Sequence, residues 1–193
     1  HYFTVDKTAP TGSITVTTND GTNVWKTLLS ALTFGACDKF SNSNSIPVSL
    51  TGEDVTAGVA KIQYYNSTSP KTYDEIAALS ESSWKDGTSY DMEADQQFVP
   101  YLKVTDRAGN VEYISTTSGF IADQTKPQIT ITEANRNAAS NGIYNEDVTL
   151  SVKVEDPTNG GTYSGLQSVT YHIQASGNVS TTEDGTLHTA AQN

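Results

Sequence analysis

The sequence predicts an all-β protein built from antiparallel β-sandwich modules in tandem, with short helical inserts in the first module. Three observations lead to this fold class: short segments in which apolar and polar residues alternate, a turn-forming motif that occurs twice, and abundant threonine. A period of two is typical of strands with one buried face, and β-branched side chains favour strands. Several short strands separated by turns indicate a sandwich of the immunoglobulin type.

The turn-forming motif D-x-T-x-P divides the chain into modules. It occurs at residues 6–10 and again at 123–127, each time after an apolar run and before an alternating segment. Proline cannot donate to a strand ladder and pushes the residue before it towards extended geometry, so the motif suits a stiff linker. We therefore assign residues 1–5 to the end of a preceding module, residues 6–122 to module one and residues 123–193 to module two.

Two further pairs of segments match in the same order along the chain. Residues 46–54 resemble 148–156, and residues 58–64 resemble 165–171. Three matches in one order indicate an internal repeat. Module two has no second copy of the V-T-D-x-A-G-N stretch that ends module one, so we expect module two to lack its last strands, unless another segment completes the sheet.

Alternation predicts six strands in module one, and two other segments have helical features. Residues 23–32 place Trp25, Leu28, Leu29 and Leu32 on one face of a short helix. A second helix is predicted to begin near Thr72, where Thr72-Tyr73-Asp74-Glu75 fits a capping box. The predicted strands are 12–18, 46–53, 59–66, 97–105, 110–116 and 118–122.

Composition and charge exclude several classes of function. The chain has 11 Lys and Arg residues against 22 Asp and Glu residues, a net charge of −11, whereas nucleic-acid binding needs clustered cations. No apolar run approaches the roughly 18 residues of a membrane span, so no membrane insertion is expected. The single cysteine, Cys37, cannot form an internal disulfide. We therefore expect neither nucleic acid nor membrane as a partner.

Catalytic motifs are not found in the sequence. The three histidines are too far apart for a zinc motif, and the patterns of a nucleophile elbow, a phosphate loop or a dinucleotide fold do not occur. Carboxylates are paired at Glu53-Asp54 and at Glu155-Asp156, but adjacent residues on a strand point to opposite sides. The chain is therefore predicted not to be an enzyme.

A metal site is predicted where the topology gathers acidic side chains. The stretch V-T-D-R-A-G-N-V at residues 104–111 reads as a hairpin between two strands, at the same pole as the D-x-T-x-P linker. Hard oxygen ligands clustered in this way suit calcium, which takes 6–8 of them. Asp106 also fits a simple turn residue that bonds its own backbone. The predicted ligands of a structural calcium ion are Asp6, Glu53, Asp54, Asp106 and Asn110.

Aromatic residues offer a second candidate site. A stacking platform for a sugar is predicted from Trp84, Tyr90, Tyr64 and Tyr65, which come from one part of module one. The alternative interpretation is that these side chains belong to the core, because aromatic residues bury large areas in a sandwich.

Three stretches resemble bacterial immunoglobulin-like repeats, which occur in tandem in large surface proteins and multimodular secreted enzymes of Gram-positive bacteria. They are D-K-T-A-P with D-Q-T-K-P at the module starts, Y-L-K-V-T-D-R-A-G-N-V at residues 101–111, and S-G-F-I-A-D at residues 118–123. The resemblance covers module one fully and the first half of module two. These motifs consist mostly of turn and core residues, so they are specific for a fold and say little about a ligand.

The resemblance implies an extracellular location, at the cell surface or cell wall of a Gram-positive bacterium. The function it implies is a non-catalytic structural spacer or adhesion module. The calcium ion predicted above from the topology would stiffen the module junctions. Neighbouring modules of the same chain and a host or cell-wall glycan are the expected partners. The alternative function is a carbohydrate-binding accessory module of a secreted glycoside-processing enzyme. A crosslink from Lys61 or Lys103 is a further alternative, but no asparagine is placed to accept it.

Overall fold

The computed structural model describes residues 5–19, 21–31, 35, 37–133, 149–158, 164–174 and 182–189. These residues belong to two compact units, the first ending at Gln124 and the second beginning at Thr125. Nearly all of the regular structure is β-strand, so the all-β prediction is confirmed. No helix within the described ranges is long and apolar enough to cross a membrane.

The described part of the first unit contains eleven strands and one short α-helix. Alternating apolar and polar residues explain the longer strands, because one face of each strand turns towards the core. In chain order the elements are β1 (Thr11–Thr18), β2 (Gly21–Trp25), β3 (Thr27–Leu28), β4 (Cys37–Ser41), β5 (Ser45–Glu53), β6 (Val59–Ser67), α1 (Tyr73–Ala77), β7 (Lys85–Asp86), β8 (Ser89–Glu93), β9 (Gln96–Asp106), β10 (Val111–Ser115) and β11 (Gly119–Ala122).

The six strands predicted in module one are all present. They correspond to β1, β5, β6, β9, β10 and β11, and their ends differ from the predicted ends by at most one residue. The sequence did not reveal β2, β3, β4, β7 and β8, because these strands are short and most of their residues are polar. Pairing with neighbouring strands, rather than their own pattern, makes these segments extended.

The strands of the first unit form two sheets that enclose the main core. One sheet has the antiparallel order β2-β1-β5-β8, and the other has the order β3-β10-β9-β11-β4, with β6 joined to β9 and β7 joined to β6. On β5 the residues Ile46, Val48 and Leu50 are buried, while the residues between them are exposed. The main core consists of Ile14, Val16, Ile46, Val48, Leu50, Met92, Phe98, Leu102, Val104, Ile114, Phe120 and Ala122.

The prediction of purely antiparallel sheets is wrong at one edge. Strand β11 pairs with β4 in parallel, with Phe120 opposite Lys39 and Ile121 opposite Phe40. Parallel neighbours need a long crossover connection rather than a hairpin. Here the chain between β4 and β11 passes through both sheets before it returns, which a local sequence pattern does not reveal.

One of the two predicted helical inserts is confirmed. Helix α1 begins with the capping box: the hydroxyl of Thr72 accepts from the amide of Glu75, and the Glu75 carboxylate accepts from the amide of Thr72 at 2.8 Å. Ile76 of this helix is fully buried. It belongs to a second core cluster on the outer side of the second sheet, together with Leu29, Trp84, Val99 and Tyr101.

The helix predicted over residues 23–32 is wrong. Trp25 ends β2, Leu28 lies in β3, and only Leu29–Ala31 forms a single 3-10 turn; Leu32 lies outside the described residues. The Trp25 ring packs against Phe120 edge to face, with ring centroids 5.4 Å apart. Contacts with both sheets therefore override the helical spacing, as tertiary packing often does for a short segment.

The described residues of the second unit form two antiparallel strand pairs. They are β12 (Gln128–Glu133) with β13 (Leu150–Glu155), and β14 (Ser168–Gln174) with β15 (Thr182–Thr189). Ile131 lies opposite Val152 in the same register as Ile14 opposite Leu50 in the first unit. The internal repeat found in the sequence also aligns Ile14 with Ile131 and Leu50 with Val152. The β12–β13 pair therefore repeats the β1–β5 pair.

Candidate metal centre

The segment V-T-D-R-A-G-N-V at residues 104–111 forms the predicted hairpin, which joins β9 to β10. The amide of Asp106 donates to the carbonyl of Asn110 at 3.1 Å, and the amide of Gly109 donates to the carbonyl of Asp106 at 3.3 Å. Gly109 has a φ of +93°, a conformation that other residues rarely adopt. The turn therefore fixes the position of Asp106 at the end of β9.

The side chain of Asp106 is buried, with Asp106 only 2% exposed. Its Oδ1 atom accepts from the backbone amide of Asn110 at 2.8 Å, and its Oδ2 atom accepts from Asn110 Nδ2 at 2.7 Å. Burial raises the pKa of this carboxyl, but hydrogen bonds from the side chain and the backbone of Asn110 outweigh burial and hold the pKa below its ordinary value. Asp106 is therefore charged at neutral pH.

Asp54 directly follows β5 and organises the loop that leads to β6. Its Oδ1 atom accepts from the backbone amides of Thr56 at 3.1 Å, Ala57 at 2.7 Å and Gly58 at 2.8 Å. The carbonyl of Gly58 in turn accepts from the amide of Arg107 at 2.9 Å. This loop is thereby joined to the β9–β10 hairpin.

Asp6 brings the N-terminal D-x-T-x-P segment to the same place. Its Oδ1 atom accepts from the amide of Thr8 at 2.9 Å, and its backbone carbonyl accepts from Asn110 Nδ2 at 3.3 Å. The second carboxylate oxygen, Oδ2, is buried and has no hydrogen-bond partner in the described structure. Burying an unpaired carboxylate oxygen is costly, so this atom indicates that a positively charged group belongs beside it.

The three carboxylates form one cluster, in which oxygen atoms of Asp6, Asp54 and Asp106 lie within 4.8 Å of one another. Like charges at this distance repel each other, and burial strengthens the repulsion. The guanidinium of Arg107 lies beside Gly58. Across the described residues it forms no salt bridge with any of the three. The cluster therefore carries an uncompensated negative charge.

The donor set fits a hard divalent cation. Each of the three carboxylates uses one oxygen to accept from a backbone amide, which fixes its orientation. The second oxygens of Asp6 and Asp54 accept no hydrogen bond in the described structure, whereas Oδ2 of Asp106 accepts from Asn110 Nδ2 and keeps a further lone pair for a ligand. Calcium prefers carboxylate and carbonyl oxygens and tolerates irregular geometry, whereas magnesium demands a nearly ideal octahedron. Asp6, Asp54 and Asp106 are thus the residues that would hold calcium here.

Two of the five predicted ligands have other positions. Glu53 lies outside the group of three and lines a pocket with Thr11 and Lys26. Asn110 is next to the cluster, but its Nδ2 atom, not its carbonyl oxygen, faces Asp106 and Asp6. Asn110 therefore braces the carboxylates in this structure. The side chains of Glu53 and Asp54 point in opposite directions, as we expected for adjacent residues at the end of a strand.

The aromatic residues predicted as a sugar platform belong to two separate groups. Tyr64 and Tyr90 stack on each other, with ring centroids 4.1 Å apart, and the Tyr90 hydroxyl donates to Asn66 Oδ1 at 2.8 Å. Burial raises the pKa of Tyr90 far above its ordinary value. Trp84 is only 6% exposed, and Tyr65 lies against it at 6.1 Å. These rings pack against each other, so they do not present a flat exposed surface.

A charged network around Glu81 was not predicted from the sequence. The Glu81 carboxylate accepts from Lys103 at 2.6 Å, from Lys61 at 2.9 Å and from Gln63 at 2.9 Å. These hydrogen bonds lower its pKa to about 2. Lys103 also lies over the Trp84 ring, 5.5 Å from its centroid. Lys61 and Lys103 lie on β6 and β9, two strands that the sequence predicted. No local sequence pattern, however, indicates that the Glu81 carboxylate reaches both lysines.

Comparison with known proteins returns no match to a family model, to a curated protein or to a solved structure. The fold class is therefore established here by the strands and sheets alone, and the relationship to bacterial immunoglobulin-like repeats stays a prediction from the sequence.

Proposed function

We propose that this chain is a non-catalytic structural spacer or adhesion module of a bacterial cell-surface or secreted protein, in which Asp6, Asp54 and Asp106 bind a structural calcium ion. One observation carries the proposal: carboxylate oxygens from three segments lie within 4.8 Å of one another. The segments are the N-terminal linker, the β5–β6 loop and the β9–β10 hairpin. A cation that binds all three stabilises the folded state, because the unfolded chain does not hold them together.

The internal repeat supports the role of a spacer. In the second unit, Asp156 accepts from the amide of Gly165 at 2.6 Å, as Asp54 accepts from Gly58 in the first. Both glycines have positive φ, +76° for Gly58 and +80° for Gly165. The acidic loop that supplies Asp54 is thus a repeated feature of the chain. A cation that fastens the linker to each module would stiffen an array of such modules.

The affinity expected of this site supports the proposal of an extracellular location. Three carboxylates are few for calcium, and calcium-binding extracellular modules have Kd values of roughly 10⁻⁴–10⁻³ M. Such a site is filled only where calcium is abundant. Neighbouring modules of the same chain are the proposed partners of the stiffened linker.

Calorimetry and urea unfolding in EGTA, calcium chloride or magnesium chloride test the proposal. Calcium at about ten times its Kd is expected to raise the free energy of unfolding by about 1.4 kcal/mol, and magnesium is expected to do less. The Asp6→Asn variant sharpens the test. Without calcium it is expected to unfold at higher urea than the wild type, because one repelling charge is removed, and it is expected to lose the response to calcium.

The matched control is Asp91→Asn on the exposed face of β8, outside the cluster. This variant is expected to keep the full calcium response. If calcium produces neither binding heat nor a shift of the unfolding midpoint in the wild type, the proposed site does not exist. If Asp6→Asn responds to calcium as the wild type does, the ion binds elsewhere.

A further inference from the structure

A second site lies beside strands β1 and β5 of the first sheet and strand β3 of the second sheet of unit one. A pocket of about 320 Å³ is lined by Thr11, Gly12, Ser13, Lys26, Leu28, Thr51 and Glu53. Binding pockets for small molecules measure roughly 300–1,000 Å³, so this pocket has room for one or two small rings. It is distinct from the acidic cluster, since Asp6, Asp54 and Asp106 do not line it.

The strand register explains how these side chains come together. Thr11 lies opposite Glu53 and Ser13 opposite Thr51 across the β1–β5 pair. Because Ile14 and Leu50 turn inwards to the core, these four neighbours turn outwards. A side chain that faces away from the core is usually exposed to solvent. Ser13 faces away from the core but is only 7% exposed, so other residues must cover it.

Walls on either side of Ser13 account for its burial. Lys26, between β2 and β3, and Leu28 of β3 in the second sheet form one wall, and Thr51 and Glu53 of β5 form the other. Leu28 is 40% exposed and is the one large apolar side chain of the lining. The pocket therefore lies where β1 and β5 adjoin the segment that crosses from β2 to β3, and the hydroxyl groups of Ser13 and Thr51 form its floor.

The polar groups of the pocket are rich in both donors and acceptors. The hydroxyls of Ser13 and Thr51 share a hydrogen bond of 2.7 Å, which leaves one hydroxyl hydrogen and several lone pairs for a ligand. The ammonium group of Lys26 and the carboxylate of Glu53 have no ion-pair partner in the described parts of the chain. The two charges cancel, so the pocket selects neither an anion nor a cation.

We propose that this pocket binds a neutral sugar ring, as one residue of a glycan. Each sugar hydroxyl both donates and accepts, so a sugar can donate to Glu53 while it accepts from Lys26, in charge-assisted hydrogen bonds. Leu28 offers the small apolar contact that the C–H face of a sugar needs. A polyanion would be repelled by the acidic chain.

NMR titration of the ¹⁵N-labelled chain tests the assignment, with methyl α-glucopyranoside, methyl β-galactopyranoside, N-acetylglucosamine and glycine as separate probes. At least one sugar is expected to shift the amides of Thr11, Ser13 and Thr51 in a saturable manner. The Glu53→Gln and Lys26→Met variants are each expected to weaken binding about tenfold, which corresponds to about 1.4 kcal/mol. Ser13→Ala removes one hydroxyl group from the pocket without changing its charge, and so tests whether that hydroxyl contributes to binding.

Two variants serve as matched controls. Glu93→Gln lies on β8, at the far edge of the first sheet, and Lys39→Met lies on β4, at the edge of the second sheet opposite β3. Both are expected to bind the sugar as the wild type does. The titration is run in EGTA and again in calcium, because sugar binding is expected in both and does not depend on the proposed metal site.

Three results would overturn the proposal. In the first, no sugar shifts any amide at concentrations of about 50 mM, well above a Kd of about 1 mM. In the second, glycine shifts the lining residues and the sugars do not, which would assign the pocket to a zwitterion. In the third, a sugar binds but shifts residues elsewhere, or binds equally well to Glu53→Gln, Lys26→Met and Ser13→Ala.

Discussion

The Nδ2 atom of Asn110 donates a hydrogen bond of 2.7 Å to Oδ2 of Asp106. The same nitrogen donates to the backbone carbonyl of Asp6 at 3.3 Å. One amide group therefore joins the β9–β10 hairpin to the N-terminal segment and also holds a buried carboxylate in its ionised form. This double role makes Asn110 the residue whose removal is most informative about the cluster.

Replacing Asn110 by alanine is expected to raise the pKa of Asp106. Burial then acts on the carboxyl without the opposing side-chain hydrogen bond. In the wild type the folded-state pKa is below the ordinary value of 3.8, so the ionised carboxylate contributes stability that is complete above that pH and is lost as the pH falls through the folded-state pKa. In Asn110→Ala the loss is expected to begin at higher pH.

An NMR titration of the Asp106 carboxyl carbon, together with urea unfolding at a series of pH values, measures this change. Asn23→Ala on the edge strand β2 is the control, and it is expected to leave the titration of Asp106 unchanged. An unaltered pKa in Asn110→Ala would show that the backbone amides alone keep Asp106 ionised.

The two units offer a matched pair of isoleucine-to-alanine substitutions, one in a core and one at an exposed position. Ile14 is fully buried, whereas Ile131, at the same register in the second unit, is 63% exposed. Ile14→Ala is expected to cost about 2–5 kcal/mol of stability, because it leaves a cavity. Ile131→Ala is expected to cost about 1 kcal/mol or less, which is the range of strand propensity on an exposed surface.

Urea unfolding separates the two effects. Both tryptophans, Trp25 and Trp84, belong to the first unit, so tryptophan fluorescence follows that unit, and NMR amide signals of β12 follow the second. Equal losses from Ile14→Ala and Ile131→Ala would mean that the β12–β13 face is covered in solution.

The Glu81 network is expected to make stability depend on pH in the acid range. Hydrogen bonds from Lys103, Lys61 and Gln63 lower the pKa of Glu81 from 4.5 to about 2. A depressed folded-state pKa means that the stabilisation is fully present above about pH 4.5 and disappears as the pH falls to about 2. The Glu81→Gln variant, which carries no charge there, is expected to lack this part of the dependence.

Unfolding free energies of the wild type and of Glu81→Gln, measured across that range, test the expectation. The difference between them should be constant above pH 4.5 and should shrink as the carboxylate is protonated. Glu93→Gln, on the exposed face of β8, should follow the wild type at every pH. A difference that does not change with pH would mean that Glu81 acts through packing rather than charge.

The Tyr101 hydroxyl accepts a hydrogen bond of 2.6 Å from the backbone amide of Lys71, just before helix α1. Tyr101 is fully buried, so Tyr101→Phe leaves that amide without its acceptor. We expect a loss of about 1–3 kcal/mol in the free energy of unfolding. Tyr113→Phe is the control, and it is expected to cost less, since its hydroxyl has no recorded hydrogen bond in the described structure. Denaturant unfolding measures both, and similar losses would contradict this role of the hydroxyl.

The features that could be predicted follow from local sequence patterns or from one simple rule of strand direction. The strands β1, β5, β6, β9, β10 and β11 follow from alternation, and the α1 capping box follows from Thr72 and Glu75. Asp6, Asp54 and Asp106 were predicted to meet because strand directions bring chain ends to one pole, and they do meet. In each case a local rule or a simple topological rule was sufficient.

Two features that depend on contacts between distant segments could not be predicted. The helical spacing of Trp25, Leu28 and Leu29 was misleading, because each of these residues contacts a different part of the sandwich. The parallel pairing of β4 with β11 depends on the path of the whole chain. Neither feature is encoded by a short periodic pattern.

Glu53 and Asp54 show which part of a site the local sequence predicts and which part it does not. Alternation alone places these neighbours on opposite sides of a strand end, and that much follows from the covalent geometry of the backbone. Tertiary structure decides the surroundings of each of them: Asp54 lies beside Asp6 and Asp106, and Glu53 lines the second pocket together with Lys26. The reason is physical, since a site consists of side chains whose spacing is set by packed sheets and not by their separation along the chain.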